Sequence, residues 1–141
     1  MSIEMLMTKR VVTVEMDDTL RLVKEIFDQA RFHHLLVVQG GKLVGVISDR
    51  DLLKEITPNL ERDRASVKES AVLNKKAHQI MSRDVVTVSK DHSIKAAIEL
   101  FLEKDVSCLP VVDDERHIEG LLSWKDIFRY LLTLKTGAND G

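Results

Sequence analysis

Met7-Thr-Lys-Arg-Val-Val-Thr-Val14 and Met81-Ser-Arg-Asp-Val-Val-Thr-Val88 are two spellings of one segment, 74 positions apart. Outward from them, Leu35-Leu-Val-Val38 meets Leu109-Pro-Val-Val112 at the same shift, and Gly45-Val-Ile-Ser-Asp-Arg-Asp51 meets Gly120-Leu-Leu-Ser-Trp-Lys-Asp126 at a shift of 75. A unit of roughly fifty residues is too small to bury its own apolar faces, so two copies are expected to pack on each other. Function is expected in the clefts between them.

Each copy opens on a short apolar helical turn, Ile3 to Met7 and His78 to Met81, followed by β-branched runs at Val11 to Val14 and Val85 to Val88 that read as strands. Thr19 and Ser93 stand where helix N-caps belong, before the stripes Leu20, Val23, Phe27, Ala30 and Ile94, Ala97, Ile98, Phe101. Leu35 to Val38 and Leu109 to Val112 are continuous apolar runs, as in strands covered on both faces. Gly40-Gly41 and Asp113-Asp-Glu-Arg116 are turn chemistry, so each run should pair as an antiparallel hairpin with Leu43 to Ile47 or Ile118 to Leu122. A second helix follows from Asp49 to Ile56 and from Trp124 to Leu134. The order β-α-β-β-α, twice, predicts an α+β fold whose two repeats pack through their sheets with pseudo-twofold symmetry. Repeat one spans 1–56 and repeat two 77–134; 57–76 is a linker with a surface helix from Ser66 to Ala77, and 135–141 a polar, frayed tail.

Composition narrows the function. At 141 residues there is no room for a large separate catalytic domain. A net charge of −2 with 31% charged residues lacks the basic surplus of a nucleic-acid binder. No apolar run reaches the roughly 20 residues of a membrane span and the first residues do not resemble a signal peptide, so a cytoplasmic protein without membrane contact is expected. Cys108 is the single cysteine, which excludes an intrachain disulfide and a cysteine metal framework. It reads as a core or pocket-wall thiol. Ser-His-Asp order, metal-ligand spacing and a GxxxxGK[ST] loop are all missing, and His78, His92 and His117 are scattered among polar positions; the chain is not expected to be an enzyme.

One motif carries chemistry. Ser48-Asp-Arg50-Asp51 and Ser123-Trp-Lys125-Asp126 each run from a strand into a helix, where unpaired N–H groups and the helix dipole favour an anion. Arg50 and Lys125 add a full positive charge beside that end. An aspartate there can accept hydrogen bonds from two vicinal hydroxyls, as a ribose presents them. Serine, base and acid together describe a nucleoside phosphate. The same spacing is also a capping box, with Ser48 and Ser123 as caps. Capping does not require the cation in both copies.

The Met-Thr/Ser opening before Val-Val-Thr-Val, the Cys108-Leu-Pro-Val-Val112 strand and the repeated Gly-x-x-Ser-x-x-Asp closing motif resemble a tandem pair of CBS domains, named after cystathionine β-synthase. The resemblance spans nearly the whole chain outside the linker and tail. It implies a non-catalytic regulatory module binding an adenosine nucleotide (AMP, ADP or ATP), with the serine and aspartate on the ribose; the alternative is a ligand-free interaction scaffold. It further implies phosphate contacts from His33 and His34, with a purely structural role as the alternative, and adenine walls from Val11, Val12 and Leu35 in one site and Val85, Val86, Leu109 and Pro110 in the other, where Cys108 would be a pocket-wall thiol. It implies no required cofactor beyond the regulatory nucleotide, with magnesium accompanying ATP, a homodimer, and a regulated protein acting in trans. The copies differ where it matters. Leu36 stands where copy two has Pro110, which implies a differently shaped entry to the first pocket; Asp84 stands at Arg10 and Asp105 at Arg31, so basic residues cluster with copy one. Two equal sites are not expected, and if one is empty it is expected to be the Asp126 site. Trp124 is expected on the motif's rim, over a ligand or in a dimer contact.

Overall fold

The computed structural model describes residues 2–30, 33–57 and 71–140, with 135–140 as backbone alone. Of the expected linker helix from Ser66 to Ala77, residues 66–70 lie outside the described residues, as does Arg31, and 71–73 are helical. Chain packing defines two compact units, Val12–Val85 and Met1–Val11 with Val86–Gly141. The first eleven residues thus belong with the second half of the chain.

In the unit Val12–Val85, β1 (Thr13–Glu15), α1 (Leu20–Gln29), β2 (His34–Gln39), β3 (Lys42–Ser48), α2 (Asp49–Ile56) and the short α3 (Ala77–Ile80) follow in order. The sheet order is β1-β2-β3, β1 parallel to β2 through Val14 and Val37, and β2 antiparallel to β3. Gly40 and Gly41 close that hairpin with φ of 58° and 80°, the left-handed pair that a two-residue turn requires. Leu35 to Val38 are all buried, as the unbroken apolar run predicts, while β3 alternates, burying Leu43, Gly45 and Ile47. The core gathers Val14, Leu20, Val23, Leu35, Val37, Ile47 and Leu52, closed by Leu73, Ala77 and Met81. Thr19 caps α1 by accepting from the Leu22 N–H at 3.4 Å.

In the other unit, a 3-10 turn (Ile3–Met5) is followed by α4 (Ile94–Lys104), β4 (Cys108–Val112), β5 (Ile118–Ser123) and α5 (Trp124–Asp140). Ser93 caps α4 by accepting from the Ala96 N–H at 3.1 Å, and Asp105 ends it in the left-handed region at φ 53°. β4 and β5 form the antiparallel hairpin, turned by the Asp113 carboxylate, which accepts from the Glu115 and His117 N–H groups at 2.9 and 2.8 Å. α5 runs on to Asp140 instead of stopping at Leu134.

The expected strand at Val85 to Val88 does not form. Val88 alone bridges Val111 in parallel, donating to the Pro110 carbonyl at 3.0 Å and accepting from the Val112 N–H at 2.9 Å. Extending that ladder by one step would need a Pro110 N–H for the Val86 carbonyl, and proline has none. Leu36 holds the same place in copy one and keeps its N–H, so β1 forms a three-residue ladder there. That ladder sits at Thr13–Glu15, shifted from the expected Val11 to Val14.

Both units contain a matching tether. Ser82 pairs with Val46 by two backbone bonds of 2.9 and 3.0 Å, and Thr8 pairs with Leu121 by two of 2.9 Å. Each tether lies on the third strand of its hairpin beside a glycine. A Cβ at Gly45 would meet Met81 Sδ at 2.5 Å, and one at Gly120 would meet Met7 Sδ at 2.8 Å and the Thr8 carbonyl at 2.9 Å. The glycines admit the tethers.

Candidate functional site: two Ser-x-x-Asp turns

The two motifs begin α2 and α5, where β3 and β5 deliver the chain into a helix. At the first, the Ser48 hydroxyl accepts from the Asp51 N–H at 3.1 Å and Asp51 Oδ2 accepts from the Ser48 N–H at 2.9 Å. This is a complete capping box. A carboxylate offers about four lone-pair positions. Among the described residues, the Ser48 N–H is the one donor to the Asp51 carboxylate, so most of its accepting capacity remains.

His33 and His34 reach this turn by different routes. The His33 carbonyl accepts from the Asp49 N–H at 3.0 Å and its ring Nδ1 lies 2.9 Å from Asp49 Oδ2. That ring contact holds the Asp49 carboxyl below its usual range. His34 pairs with Ser48 across the sheet and is half-buried. Desolvation pushes its pKa below 6.5, against the pull of Asp49 and Asp51. Arg50 lies exposed on the first helical turn.

At the second motif the acid is closed off. Asp126 is 4% exposed. Its Oδ2 accepts from the Ser123 N–H at 2.9 Å and the Ser123 hydroxyl at 3.2 Å; its Oδ1 accepts from the Thr8 hydroxyl at 3.3 Å and Arg129 at 3.1 Å. Four donors meet about four lone-pair positions. The Ser123 hydroxyl donates to the acid here, whereas Ser48 accepts, so the sequence expectation of two like caps fails at this end. Lys125 is exposed, like Arg50. Trp124 packs within its own unit, its ring centroid 4.7 Å from that of Phe101 and 5.9 Å from that of Phe128.

The residues expected as adenine walls divide. Val11, Val12, Val85 and Val86 are half-buried, but Leu35 and Leu109 are fully buried core and Pro110 is buried too. Cys108 is buried opposite Ser123 in the sheet, and desolvation pushes its thiol up to about 12. Val12 and Val85 fall in the unit that holds Asp51, and Val11 and Val86 in the unit that holds Asp126. Sequence reasoning passed over Thr8, Ser82 and Arg129. The repeated Met-Thr/Met-Ser opening was the available signal for the first two: Thr8 reaches the acid of the other copy's motif, and Ser82 is bonded to the strand leading to Asp51.

A family model for the CBS domain matches residues 3–58 and 77–133. Protein MJ1225 of Methanocaldococcus jannaschii is 32% identical over an alignment of 130 positions that covers 88% of this chain and 46% of MJ1225. This chain therefore spans less than half of that relative. The MJ1225 crystal structure matches with a TM-score of 0.79 at 27% identity, over 92% of this chain and 47% of that one. The CBS domain pair of protein MJ0100, solved with 5′-methylthioadenosine and S-adenosyl-L-methionine, matches with a TM-score of 0.77 at 25% identity, over 93% of this chain and 95% of that one. CBSX2, solved with AMP, matches with a TM-score of 0.80 at 25% identity, over 95% and 98%. With both repeats matched and this fold, the chain belongs to the CBS domain family, as a tandem pair of CBS domains.

Proposed function

We propose that the chain is a non-catalytic regulatory module that binds an adenosine ligand through the Ser48–Asp51 turn. The observation that carries this reading is the unequal state of the two motif acids: Asp51 receives one hydrogen bond among the described residues, and Asp126 receives four. A vicinal diol needs an acceptor with room for two donors, which Asp51 has. The ligand class is supported by the AMP of CBSX2 and the adenosine compounds of MJ0100. Arg50, His33 and His34 stand beside the turn as phosphate partners, and magnesium would accompany ATP. A ligand with different affinity for two arrangements of the protein shifts their populations, and a regulated partner in trans would read that shift.

Calorimetry with AMP, ADP, ATP, adenosine and S-adenosylmethionine, with and without magnesium, tests the reading. At least one should bind, and Asp51→Ala should weaken it tenfold or more while Asp126→Ala weakens it less. Heat from none of them at millimolar concentration would overturn the proposal.

A second reading, an interaction scaffold, is favoured by α5. Phe128, Leu131, Leu132 and Leu134 are 46–66% exposed on that helix. The homodimer proposed for this chain would use them, and sedimentation of Leu132→Glu against the natural chain measures it: a shift from dimer to monomer is expected, and equal sedimentation refutes this surface.

A further inference from the structure

We infer that Arg129 is a built-in stopper of the second motif, which makes the module single-sited. The inference rests on the reading of Ser-x-x-Asp as a diol acceptor and adds what decides which copy can act. Arg129 Nη1 lies 3.1 Å from Asp126 Oδ1, the oxygen that the Thr8 hydroxyl also approaches at 3.3 Å. The arginine side chain is 71% exposed and the aspartate's is 3% exposed, so the guanidinium meets the carboxylate from the solvent side. The other oxygen is already engaged twice by Ser123. An incoming diol therefore finds no vacant lone pair; without opening the fold it can displace Arg129, whose side chain is exposed, and the Ser123 hydroxyl, whose proton turns about its C–O bond to leave Ser123 an acceptor as Ser48 is, and these two free the places a diol needs. Thr8 is fixed by its two backbone bonds to Leu121, and the Ser123 backbone is part of β5.

The other copy lacks the stopper. The position 75 residues earlier is Lys54, which is exposed, and among the described residues no hydrogen bond joins it to Asp51. A planar guanidinium presents several N–H groups to a carboxylate at once and is weakly hydrated, whereas an ammonium on a flexible stem keeps its water. Ser82, the counterpart of Thr8, likewise makes no hydrogen bond to Asp51 among the described residues. Lysine against arginine, three places after the acid, is thus the charged difference between an acid that is available and one that is closed, beside the hydroxyl contacts of Thr8 and Ser123.

The test is the number of AMP molecules bound per chain, by calorimetry and equilibrium dialysis, for the natural chain, Arg129→Met and Arg129→Met/Asp126→Ala. Arg129 is exposed, so Arg129→Met is expected to keep the natural far-ultraviolet spectrum. One AMP is expected on the natural chain, two on Arg129→Met with the second at least tenfold tighter than any residual second site in the natural chain, and one on the double variant. The new site should refuse 2′-deoxy-AMP, which lacks half of the diol. One AMP on both the natural chain and Arg129→Met, or two on both, overturns the stopper. None on the natural chain but one on Arg129→Met supports the stopper and counts against AMP at Asp51, whereas none on either overturns the stopper; the Asp51 turn itself stands or falls with the full ligand panel above.

Discussion

Gly120→Ala should destabilise the chain by about 2 kcal/mol through the close approach of one backbone to another. The added Cβ would lie 2.9 Å from the Thr8 carbonyl oxygen, 2.8 Å from Met7 Sδ and 3.1 Å from Met7 Cγ. The methionine can swing aside; the carbonyl cannot, because it accepts from the Leu121 N–H while the Thr8 N–H donates to the Leu121 carbonyl, both at 2.9 Å. Restoring ordinary contact moves the tether by about half an ångström, which stretches both bonds beyond the usual N–H···O range of roughly 2.7–3.2 Å. It also carries the Thr8 hydroxyl off Asp126. Overpacking costs about 1–3 kcal/mol and each weakened bond up to about 1 kcal/mol. Against this, alanine lowers the entropy of the unfolded chain, worth about 0.4–1 kcal/mol, since Gly120 is not among the positive-φ glycines. Urea unfolding followed by Trp124 fluorescence is the assay, because this single tryptophan lies in the same unit as the tether. A double-mutant cycle with Met7→Ala then separates side chain from backbone: coupling of about 1 kcal/mol is expected, with a comparable cost left over. A loss under about 0.5 kcal/mol, or full rescue by Met7→Ala, refutes the backbone argument.

Three further outcomes follow from the geometry. Asp126→Ala leaves a half-buried serine N–H and two hydroxyls without their acceptor and returns the exposed guanidinium to water, and should cost about 1–3 kcal/mol in urea unfolding, while Asp51→Ala costs clearly less; equal costs would contradict the difference in their hydrogen bonding. Cys108, with its thiol pushed up to about 12 by burial, should react with a disulfide reagent at pH 8 about 1,000-fold more slowly than a free cysteine and at the free rate in urea; fast native reaction refutes its burial. His34 is held below 6.5 by desolvation, so the unfolded chain takes up this proton first and stability falls as pH drops from 6.5 towards the folded value. The melting temperature of the natural chain should therefore decline more on acidification from pH 7.5 to pH 5.5 than that of His34→Gln, and parallel curves would refute it.

What could be read from the sequence was local. Thr19, Ser93 and Ser48 cap helices as their spacing predicts, and the unbroken apolar runs are the buried strands, because each depends on residues a few places apart. The first strand expected in copy two does not form because its fate depends on a partner twenty-odd positions away: Pro110 was noted as a difference in pocket shape, and its missing N–H was not traced to Val86. The role of Thr8 was hidden for the same reason, since no periodicity shows that its hydroxyl lies 3.3 Å from an acid 118 residues on. Arg129 looks like any exposed helical cation until Asp126 is seen beneath it. That copy two holds the closed site is a proposal drawn from charge in the sequence, and the hydrogen bonds of Asp126 supply a mechanism for it.

The crossing of the chain between units has a topological consequence. A single cut between Thr57 and Ala71 would leave two fragments, each holding pieces of both units: the first keeps Thr8 for β5 and all of β1 to α2, and the second keeps Ser82 for β3 and all of α4 to α5. Neither fragment can satisfy its hairpin edge alone, and each carries the residue that pairs with the other's. The stretch of chain that repeats in the sequence is thus not the stretch that folds into a unit.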